Sequence, residues 1–448
     1  MNAKPEVLVV GAGVAGLTVA TDLSKKNFSV TVLEARDRVG GRIFTQWETG
    51  LDIPIELGAE FVHGKPPEVW EFFRGHTSDL IEVQGQSWCS SPDRGVTPCD
   101  FFDQVNGILE RMDDKSPDES FSDFLSRCWK DRRRDPKLED AKRRATAYVS
   151  GFNAADPRLV GVHWLVESMR AEQKIDGERA FRPKHGYAGL VGMLENDLKK
   201  LGVPIRTGTV VESVTWNDRP PELVVRTGQG SQTFIANKVI VTVPLAVLQA
   251  PPEQEGAILF SPSLPEEKLA ALGKMEMGKV IRAVFRFRRR FWDRITAPHG
   301  RTLSDLSFLF TEDQIFPTWW TRAPGNWPII TGWAPFRSAE QLSGKAEAFV
   351  IESGLATLAR VLSYPREQID REFVSAHYHD WQTDPFSRGA YSYGKVGSQG
   401  AQKVLSAPVD GKLFFAGEAT DTSGNNGTVH GAIASARRAA RQVIESLR

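Results

Sequence analysis

The sequence has few cysteines: Cys89, Cys99 and Cys128 are the three in 448 residues. Their number is odd, and their spacing matches neither a CxxC pair nor a zinc-ligand pattern. We therefore expect three ordinary thiols, with no disulfide framework and no metal site.

The sequence also lacks an excess of charge of either sign and any long hydrophobic run. Its 56 basic and 56 acidic residues give a formal net charge of zero, so no global field favours nucleic acid or an anionic membrane. The locally dense segment 130–144 is most simply a solvated helix face. No segment reaches the roughly 20 apolar residues of a membrane helix, and the N-terminal apolar run does not have the form of a signal peptide. We expect a cytoplasmic protein without a membrane or nucleic-acid partner.

A glycine motif close to the N-terminus predicts a dinucleotide site. The segment VLVVGAGVAGLTVATDL reads as a buried strand, a turn with Gly11, Gly13 and Gly16 in GxGxxG spacing, and a helix. The next strand ends at Glu34, which can accept hydrogen bonds from ribose hydroxyls. The first glycine permits the turn, the second lets a pyrophosphate approach, and the third lets helix and strand pack. The alternative is a tight turn without a ligand.

A second glycine pair, followed by Arg42, indicates which dinucleotide binds. Gly41 permits close approach of a bulky ligand, and a guanidinium can pair with pyrophosphate. The pattern GxGxxG followed by ExxxxxGGR resembles the flavoproteins with two dinucleotide-binding domains, which implies FAD. Arg42 could instead be a solvated surface residue.

The order of predicted elements is discontinuous, and 448 residues exceed one comfortable core. We expect an α/β fold with a Rossmann-like FAD-binding domain assembled from residues 1–65, 186–255 and 395–448. An interleaved α+β substrate domain would comprise residues 66–185 and 256–394.

The C-terminal run GEATDTSGNNGTVHGA resembles a second cofactor loop. A strand ends at Gly417 and Glu418, and a helix begins at about Thr428. The positive end of that helix suits the pyrimidine side of a flavin, where negative charge collects on reduction. The alternative is a capped helix that only closes the domain.

Five segments, GAGVAG, LEARDRVGGR, ELGAEFVHG, DPFSRGAYSY and LFFAGEATDTSGNNGTVHGAIASARRAA, stand in the order found in the flavin-containing amine oxidase family. The resemblance touches nearly the whole chain and is strongest to its soluble polyamine-oxidase-like and demethylase branch. It implies that Glu34 meets the ribose, Val211 the adenine and Glu418 the ribityl or pyrophosphate part. The full cofactor set predicted in this way is Gly11, Gly13, Ala15, Gly16, Glu34, Ala35, Arg36, Gly41, Arg42, Gly58, Ala59, Glu60, Val211, Trp381, Gly417, Glu418, Thr428 and Val429.

The family resemblance also implies the chemistry. A hydride equivalent passes from the carbon beside an amine to FAD, O2 reoxidises the flavin to give hydrogen peroxide, and the imine hydrolyses to an aldehyde. Ala390 stands where monoamine oxidases have the cysteine that attaches flavin, so non-covalent FAD is expected. The chain also shows neither their C-terminal membrane helix nor the long helical insertion of the histone demethylases.

The predicted catalytic residues are His63, Lys279, Trp381, Tyr393 and Thr428. On pattern alone Lys279 is a solvated strand-edge residue, but the resemblance places it beside the flavin. Tyr393 matches one aromatic wall of the amine pocket, and Thr428 stands where the second would be. His63 either lies near the site's mouth or bonds the backbone.

Further aromatic and acidic residues stay open as pocket residues. Trp319, Trp320 and Trp333 fill either the amine pocket or the core. Glu60, Glu167 and Glu172 are possible carboxylates for distant ammonium groups, or are surface or structural residues.

Two other functions stay open. An L-amino-acid oxidase or another FAD-dependent dehydrogenase would need an arginine directed at the substrate carboxylate or a long apolar tunnel. A non-catalytic flavoprotein scaffold is the second alternative, because fold does not fix function. The oligomeric state and the identity of the amine are left undetermined.

Overall fold

The computed structural model describes residues 6–48, 50, 53–75, 79–99, 101–129, 135–217, 219–298 and 300–447. Its strands are β1 (Glu6–Val10), β2 (Ser29–Leu33), β3 (Thr45–Trp47), β4 (Pro54–Glu56), β5 (Val62–His63), β6 (Leu80–Glu82), β7 (Gln86–Ser91), β8 (Gly95–Pro98), β9 (Ala180–Pro183), β10 (Ile205–Arg206), β11 (Val210–Thr215), β12 (Glu222–Thr227), β13 (Gly230–Ile235), β14 (Lys238–Val241), β15 (Leu259–Ser261), β16 (Met275–Met277), β17 (Val280–Phe287), β18 (Leu306–Thr311), β19 (Thr318–Thr321), β20 (Ile329–Pro335), β21 (Phe373–Asp380), β22 (Ser392–Gly394) and β23 (Leu413–Phe415).

The α-helices are α1 (Val14–Ser24), α2 (Pro67–Trp70), α3 (Phe101–Leu109), α4 (Phe121–Cys128), α5 (Pro136–Phe152), α6 (Val162–Gln173), α7 (Ala188–Lys200), α8 (Leu245–Leu248), α9 (Glu266–Gly273), α10 (Arg337–Leu342), α11 (Glu347–Val361), α12 (Arg366–Glu372), α13 (Ala401–Ser406) and α14 (Val429–Glu445).

A parallel sheet of five strands, in the order β10-β2-β1-β14-β23, carries both glycine-rich loops. In β1, Val7 and Val9 face the core formed with α1, α7 and α14, whereas Leu8 and Val10 face the core under the sheet β13-β12-β11-β15. Burial on both faces explains why the strand is a continuous apolar run. The predicted α/β class with a Rossmann-like unit is confirmed.

A second large sheet has seven strands in the order β21-β17-β20-β19-β18-β7-β8. Its aromatic core packs against α11, and helices α3 to α6 form a neighbouring layer with a core of their own. The strands of this sheet come from residues 86–98 and 280–380, and those of the parallel sheet from residues 6–33, 205–241 and 413–415. The two sheets are therefore interleaved along the chain, and the division into domains stays a prediction.

The expectation of three free thiols was wrong. Cys89 and Cys99 form a disulfide with their Cα atoms 5.4 Å apart, and Cys128 is free. Cys89 lies on β7 and Cys99 directly follows β8, so the hairpin brings the two together. A spacing of ten residues does not reveal that pairing unless the hairpin itself is recognised.

The charged segment 130–144 falls partly outside the described residues. From Asp135 onward it forms the start of α5, where Lys137 and Arg143 are exposed and Asp135 caps the helix. One face of this part is solvated, as predicted, whereas the side chains of Lys142 and Arg144 are mostly covered. Within the described ranges, no helix combines the length and apolar character needed to cross a membrane.

Candidate active site

A cavity of about 1730 Å³ extends from the carboxyl ends of β1, β2 and β14 to the aromatic face of the seven-stranded sheet. Ligands of open parallel sheets bind at such strand ends. The volume exceeds the roughly 300–1,000 Å³ of a pocket for one drug-sized ligand. The cavity therefore has room for an extended cofactor together with a substrate.

The three glycines of the N-terminal motif each have a separate geometric reason. Gly11 follows β1 with a φ of +103°, a conformation that favours glycine. A Cβ on Gly16 would lie 1.9 Å from the Gly11 carbonyl oxygen, so only glycine lets α1 pack here. A Cβ on Gly13 would meet no protein atom within 4 Å, and the residue lines the cavity. This open face is the approach that a pyrophosphate requires.

Glu34 follows β2 and joins that strand to the glycine turn. Its carboxylate accepts hydrogen bonds from the backbone N–H groups of Ala12 at 2.7 Å and Arg36 at 2.9 Å, and the residue is 3% exposed. Ala15, Ala35, Arg36 and Val211 line the same end of the cavity. The structure thus brings the residues predicted for the adenosine end together, apart from Gly16, which packs behind the turn.

Glu418 is held by three separate segments of the chain. Arg42 Nη1 donates to Glu418 Oε1 at 2.9 Å and to the Ala390 carbonyl at 2.8 Å. Glu418 Oε2 accepts from Ser392 Oγ at 2.6 Å and from the Gly427 N–H at 2.9 Å. Both oxygens therefore have protein donors, and Glu418 organises the cavity wall around Arg42.

Thr428 caps α14, which starts where the sequence predicted. Its Oγ1 accepts from the Gly431 N–H at 2.9 Å, and Thr428 and Val429 line the cavity beside Gly417. The N-terminal end of this 17-residue helix carries partial positive charge and lies at the cavity.

Trp381 is also where it was predicted. Its indole Nε1 donates to the Leu57 carbonyl at 2.8 Å, and the buried ring lines the cavity near Gly58 and Ala59. A Cβ on Gly58 would lie 1.8 Å from the Arg42 carbonyl oxygen, so a glycine is needed for this close packing. Gly41 lies opposite Gly13 and lines the cavity as well.

The predicted position of Lys279 beside the cofactor is contradicted. Its Nζ pairs with Glu340 Oε1 at 2.8 Å, and its side chain is 47% exposed, outside the cavity. In the adjoining strand β17, Val280 and Arg282 line the cavity, while Ile281 and Ala283 pack into the core of the sheet. Alternation of the strand thus gives the cavity an arginine three residues after Lys279.

Arg282 belongs to a buried charged cluster with Glu60, Arg182 and Trp320. Its Nη1 donates to the Gly58 carbonyl at 2.6 Å, and its Nη2 pairs with Glu60 Oε2. Glu60 also accepts from Arg182 Nε at 2.6 Å and from Trp320 Nε1 at 3.0 Å. Burial lowers the pKa of Arg282 to about 9, which leaves it cationic at neutral pH. Glu60 lines the cavity but is committed to its two arginines.

Tyr393 is not an aromatic wall of the cavity. It is 3% exposed within the core of the helical layer, and its hydroxyl accepts from the Asp156 N–H at 3.4 Å. The pairing of β22 with β16 directs it there. Tyr391, just before β22, lines the cavity instead and donates to the Phe152 carbonyl at 2.6 Å.

The tryptophans divide between the core and the cavity. Trp319 is buried in the core of the seven-stranded sheet, whereas Trp320 and Trp333 line the cavity with ring centroids 5.6 Å apart. The aromatic lining also includes Phe61, Tyr148, Phe152, Phe308 and Tyr391.

His63 lies on this aromatic wall, with its ring 5.1 Å from that of Phe152. Within the described part of the chain its imidazole makes no hydrogen bond, which disfavours a role in bonding the backbone. Burial lowers its pKa to about 4, so the imidazole is neutral at pH 7. His430, in the first turn of α14, is also neutral: burial, and after it the proximity of His63, lowers its pKa to about 3.

The carboxylates predicted as ammonium contacts occupy different places. Glu172, near the end of α6, lines the cavity, and burial raises its pKa to about 7. Part of its surface is accessible from the cavity, but the surrounding protein separates it from bulk solvent. Glu167, one turn earlier on α6, is exposed and lies outside the cavity.

Sequence reasoning missed Arg282, Tyr391 and His430 as cavity residues. Arg282 had a usable signal, because it is a lone charge at the third position of VIRAV, an otherwise apolar strand core. A charge there needs a buried partner or a cavity.

The chain has matches to two family models. Residues 101–444 match "Flavin containing amine oxidoreductase" and residues 9–75 match "NAD(P)-binding Rossmann-like domain". The chain belongs to the flavin-containing amine oxidoreductase family. The predicted family, fold and enzyme class are thereby confirmed.

Individual relatives have low sequence identity to this chain but match nearly its whole length. The chain is 27% identical to polyamine oxidase 2 of Arabidopsis thaliana, over 98% of this chain and 87% of that protein. It is 26% identical to lysine-specific histone demethylase 1 homolog 3 of the same species, over 99% of this chain but only 30% of that protein. A solved structure of wild-type putrescine oxidase bound to putrescine superposes with a TM-score of 0.79, 20% identity and 99% coverage of both chains.

Proposed function

We propose that this amine oxidoreductase oxidises a primary or secondary amine, with di- or polyamines preferred, using non-covalently bound FAD and O2. The observation that carries this proposal is one continuous cavity. It starts at the glycine motif around Gly13 and ends in an aromatic chamber formed by Trp320, Trp333, Tyr148, Phe152 and Tyr391, and its wall includes the carboxyl of Glu172.

The cavity residues fit FAD. Gly13 leaves room for the pyrophosphate, Glu34 lies at the ribose end, and the start of α14 lies at the other end. Ala390 on the cavity wall offers a methyl group rather than a thiol, which supports non-covalent attachment. When bound, the flavin would accept a hydride equivalent from the carbon beside the amine nitrogen.

The described side chains explain how an amine would be held. The faces of Tyr391, Phe152 and Trp320 attract a cation or an alkyl chain. The amine nitrogen must be neutral before it loses hydride, and neutral His63 places no competing positive charge on the chamber wall at pH 7. Glu172, once ionised, would hold a second ammonium group of the substrate. The chamber therefore suits a substrate with two separated amines.

The structure supports amine over amino-acid oxidation. An amino-acid oxidase needs an arginine that is free to pair with the substrate carboxylate. Arg282 is the buried arginine of the chamber, but its two terminal nitrogens already bond Gly58 and Glu60. The aromatic chamber beyond the cofactor site likewise disfavours a flavin-bound scaffold without turnover.

The cellular location remains a prediction. The balanced charge supports a protein without a nucleic-acid or membrane partner in the cytoplasm. The Cys89–Cys99 disulfide is an observation against the cytoplasm, because disulfides are rare in reduced compartments.

The test is a substrate panel run on the purified yellow protein. Putrescine, longer polyamines, monoamines and L-amino acids are compared by peroxide release and by anaerobic bleaching of the flavin. We expect diamines or polyamines to give the highest kcat/KM. Bleaching without peroxide would show that O2 is not the acceptor. Turnover confined to amino acids would overturn the proposal.

A further inference from the structure

A salt bridge links the predicted ribose-binding segment to the loop that follows β21. Arg36 Nη2 donates to Asp384 Oδ1 at 2.7 Å and to Ser387 Oγ at 2.9 Å, and Arg36 Nε lies 3.3 Å from Asp384 Oδ2. Arg36 stands two residues after Glu34, whereas Asp384 belongs to the other predicted domain. The contact therefore crosses between the two parts of the molecule.

The loop is folded around the carboxylate of Asp384. His379 Nε2 lies 3.0 Å from Asp384 Oδ2, and the Phe386 N–H donates to Oδ1 at 2.9 Å. Burial raises the pKa of Asp384, but the hydrogen bonds from His379 and Arg36 outweigh it and lower the pKa to about 2. The pair with Arg36 is therefore ionic throughout the physiological range.

One end of the Arg36 guanidinium is left for the cavity. Nε and Nη2 are occupied by Asp384 and Ser387, while Nη1 has no acceptor within hydrogen-bond distance in the described part of the chain. Glu34 Oε1 lies 3.8 Å from Nη1. Arg36 and Glu34 both line the cavity, whereas Asp384 does not. Asp384 thus fixes the rotamer of a cation that faces the cofactor end of the cavity.

We propose that Asp384 is a positioning residue for cofactor retention, which acts by holding Arg36 in place beside Glu34. The inference rests on the proposed use of FAD. Under this proposal, retention of the adenosine part of FAD depends on Asp384, a residue that does not itself line the cavity.

A second buried carboxylate provides a matched control. Glu48 also links its segment to β21: it accepts from Arg286 Nη1 at 2.6 Å, from Ser375 Oγ at 3.1 Å and from His377. The side chains of Asp384 and Glu48 are 8% and 9% exposed. Glu48 does not line the cavity or contact Arg36. Its loss should therefore affect stability without affecting the cofactor.

The experiment compares Asp384→Asn, Asp384→Glu and Glu48→Gln with the wild-type holoenzyme. Release of FAD on dilution is followed by flavin fluorescence, and the melting temperature of each protein is recorded. ADP, which represents the adenosine and pyrophosphate part, is then tested as a competitor of FAD rebinding.

We expect Asp384→Asn to release FAD at least tenfold faster than wild type and to lose competition by ADP to a similar degree. Asp384→Glu, which keeps the charge but displaces the carboxylate from Arg36, should release FAD at a rate between those of wild type and Asp384→Asn, and it carries the test if Asp384→Asn does not fold. Glu48→Gln should lower the melting temperature but keep FAD release within about twofold.

Wild-type release in a folded Asp384→Asn or Asp384→Glu protein would overturn the inference, as would equal acceleration in Glu48→Gln. A wild-type chain that binds no FAD would instead overturn the proposed function. These two failures are therefore distinguishable.

Discussion

Arg282 and Glu60 form a buried ion pair on the cavity wall, in contrast to the exposed pair that Lys279 forms with Glu340. Both cations lie within four residues of each other along the chain, but only Arg282 reaches the cavity. The cation that could influence negative charge on a bound cofactor is therefore Arg282. Its carbonyl partner, Gly58, lies on the same wall.

Replacement of Arg282 should change both stability and flavin kinetics, whereas replacement of Lys279 should change neither. Arg282→Met leaves Glu60 with one fewer buried partner, so we expect a loss of about 3–5 kcal/mol in the free energy of unfolding and slower flavin reduction and reoxidation. Lys279→Met removes a surface pair and should stay within about 0.5 kcal/mol, with unchanged kinetics. Urea unfolding and stopped-flow absorbance measure both effects.

Arg282→Lys is the control for charge, since it keeps a cation without the two-pronged contact. Partial recovery of the flavin kinetics in that variant would assign the effect to charge. Slow flavin steps in Lys279→Met, together with normal steps in Arg282→Met, would restore the sequence-based prediction for Lys279.

The contrast between Lys279 and Arg282 shows which part of the site can be predicted from the sequence. The positions of Gly11, Gly16 and Glu34 follow from local backbone requirements of a strand, a turn and a helix, and the structure places them as expected. The cavity-facing residue of β17 depends on how that strand pairs with β20 and β21. A spacing pattern contains no information on that pairing.

The same limit explains the other two corrections. Tyr393 enters the helical-layer core because β22 pairs with β16, and Cys89 meets Cys99 because β7 pairs with β8. In both cases residues distant from any recognisable motif decide the neighbour. Prediction from sequence is reliable where a single segment determines the geometry, and it fails where the geometry depends on the pairing of two segments.

Glu418 gives a second prediction, because its carboxylate joins Arg42, Ser392 and Gly427. Glu418→Ala leaves these donors unpaired, and each hydrogen bond to a charged group is worth about 1.5–3 kcal/mol. We expect FAD affinity to fall by at least tenfold, measured as flavin content after gel filtration and as Kd. Glu418→Gln, which retains the shape but not the charge, should be intermediate. Undiminished affinity in Glu418→Ala would exclude Glu418 from the cofactor site.

The attachment of the cofactor can be tested directly. Since Ala390 offers no thiol at the cavity, acid or heat precipitation should leave intact FAD in the supernatant. Absorbance and mass measurements on both fractions check this outcome. Flavin that remains with the precipitated chain would show a covalent bond to another side chain.

Glu172 makes the stability of the protein depend on pH. Burial raises its pKa from 4.5 to about 7, so the folded state holds a proton that the unfolded state releases between those values. Its stabilising contribution is complete below about 4.5 and is lost as pH rises through about 7. Glu172→Gln should therefore show a smaller fall in melting temperature between pH 5 and pH 8 than wild type. Glu195→Gln, at an exposed position of α7 outside the cavity, is the control and should behave like wild type.

The same carboxyl should set the preference for diamines. Only the ionised form of Glu172 attracts a second ammonium group, so the apparent KM for a diamine should fall as pH rises through about 7. Glu172→Gln should raise that KM by roughly 10- to 100-fold, as expected for one charge-assisted hydrogen bond of about 1.5–3 kcal/mol, and should remove the step near pH 7. A monoamine of equal chain length, which has no second ammonium, should show the same KM in both proteins. Equal loss of affinity for the monoamine and the diamine would mean that Glu172 shapes the chamber and does not recognise charge.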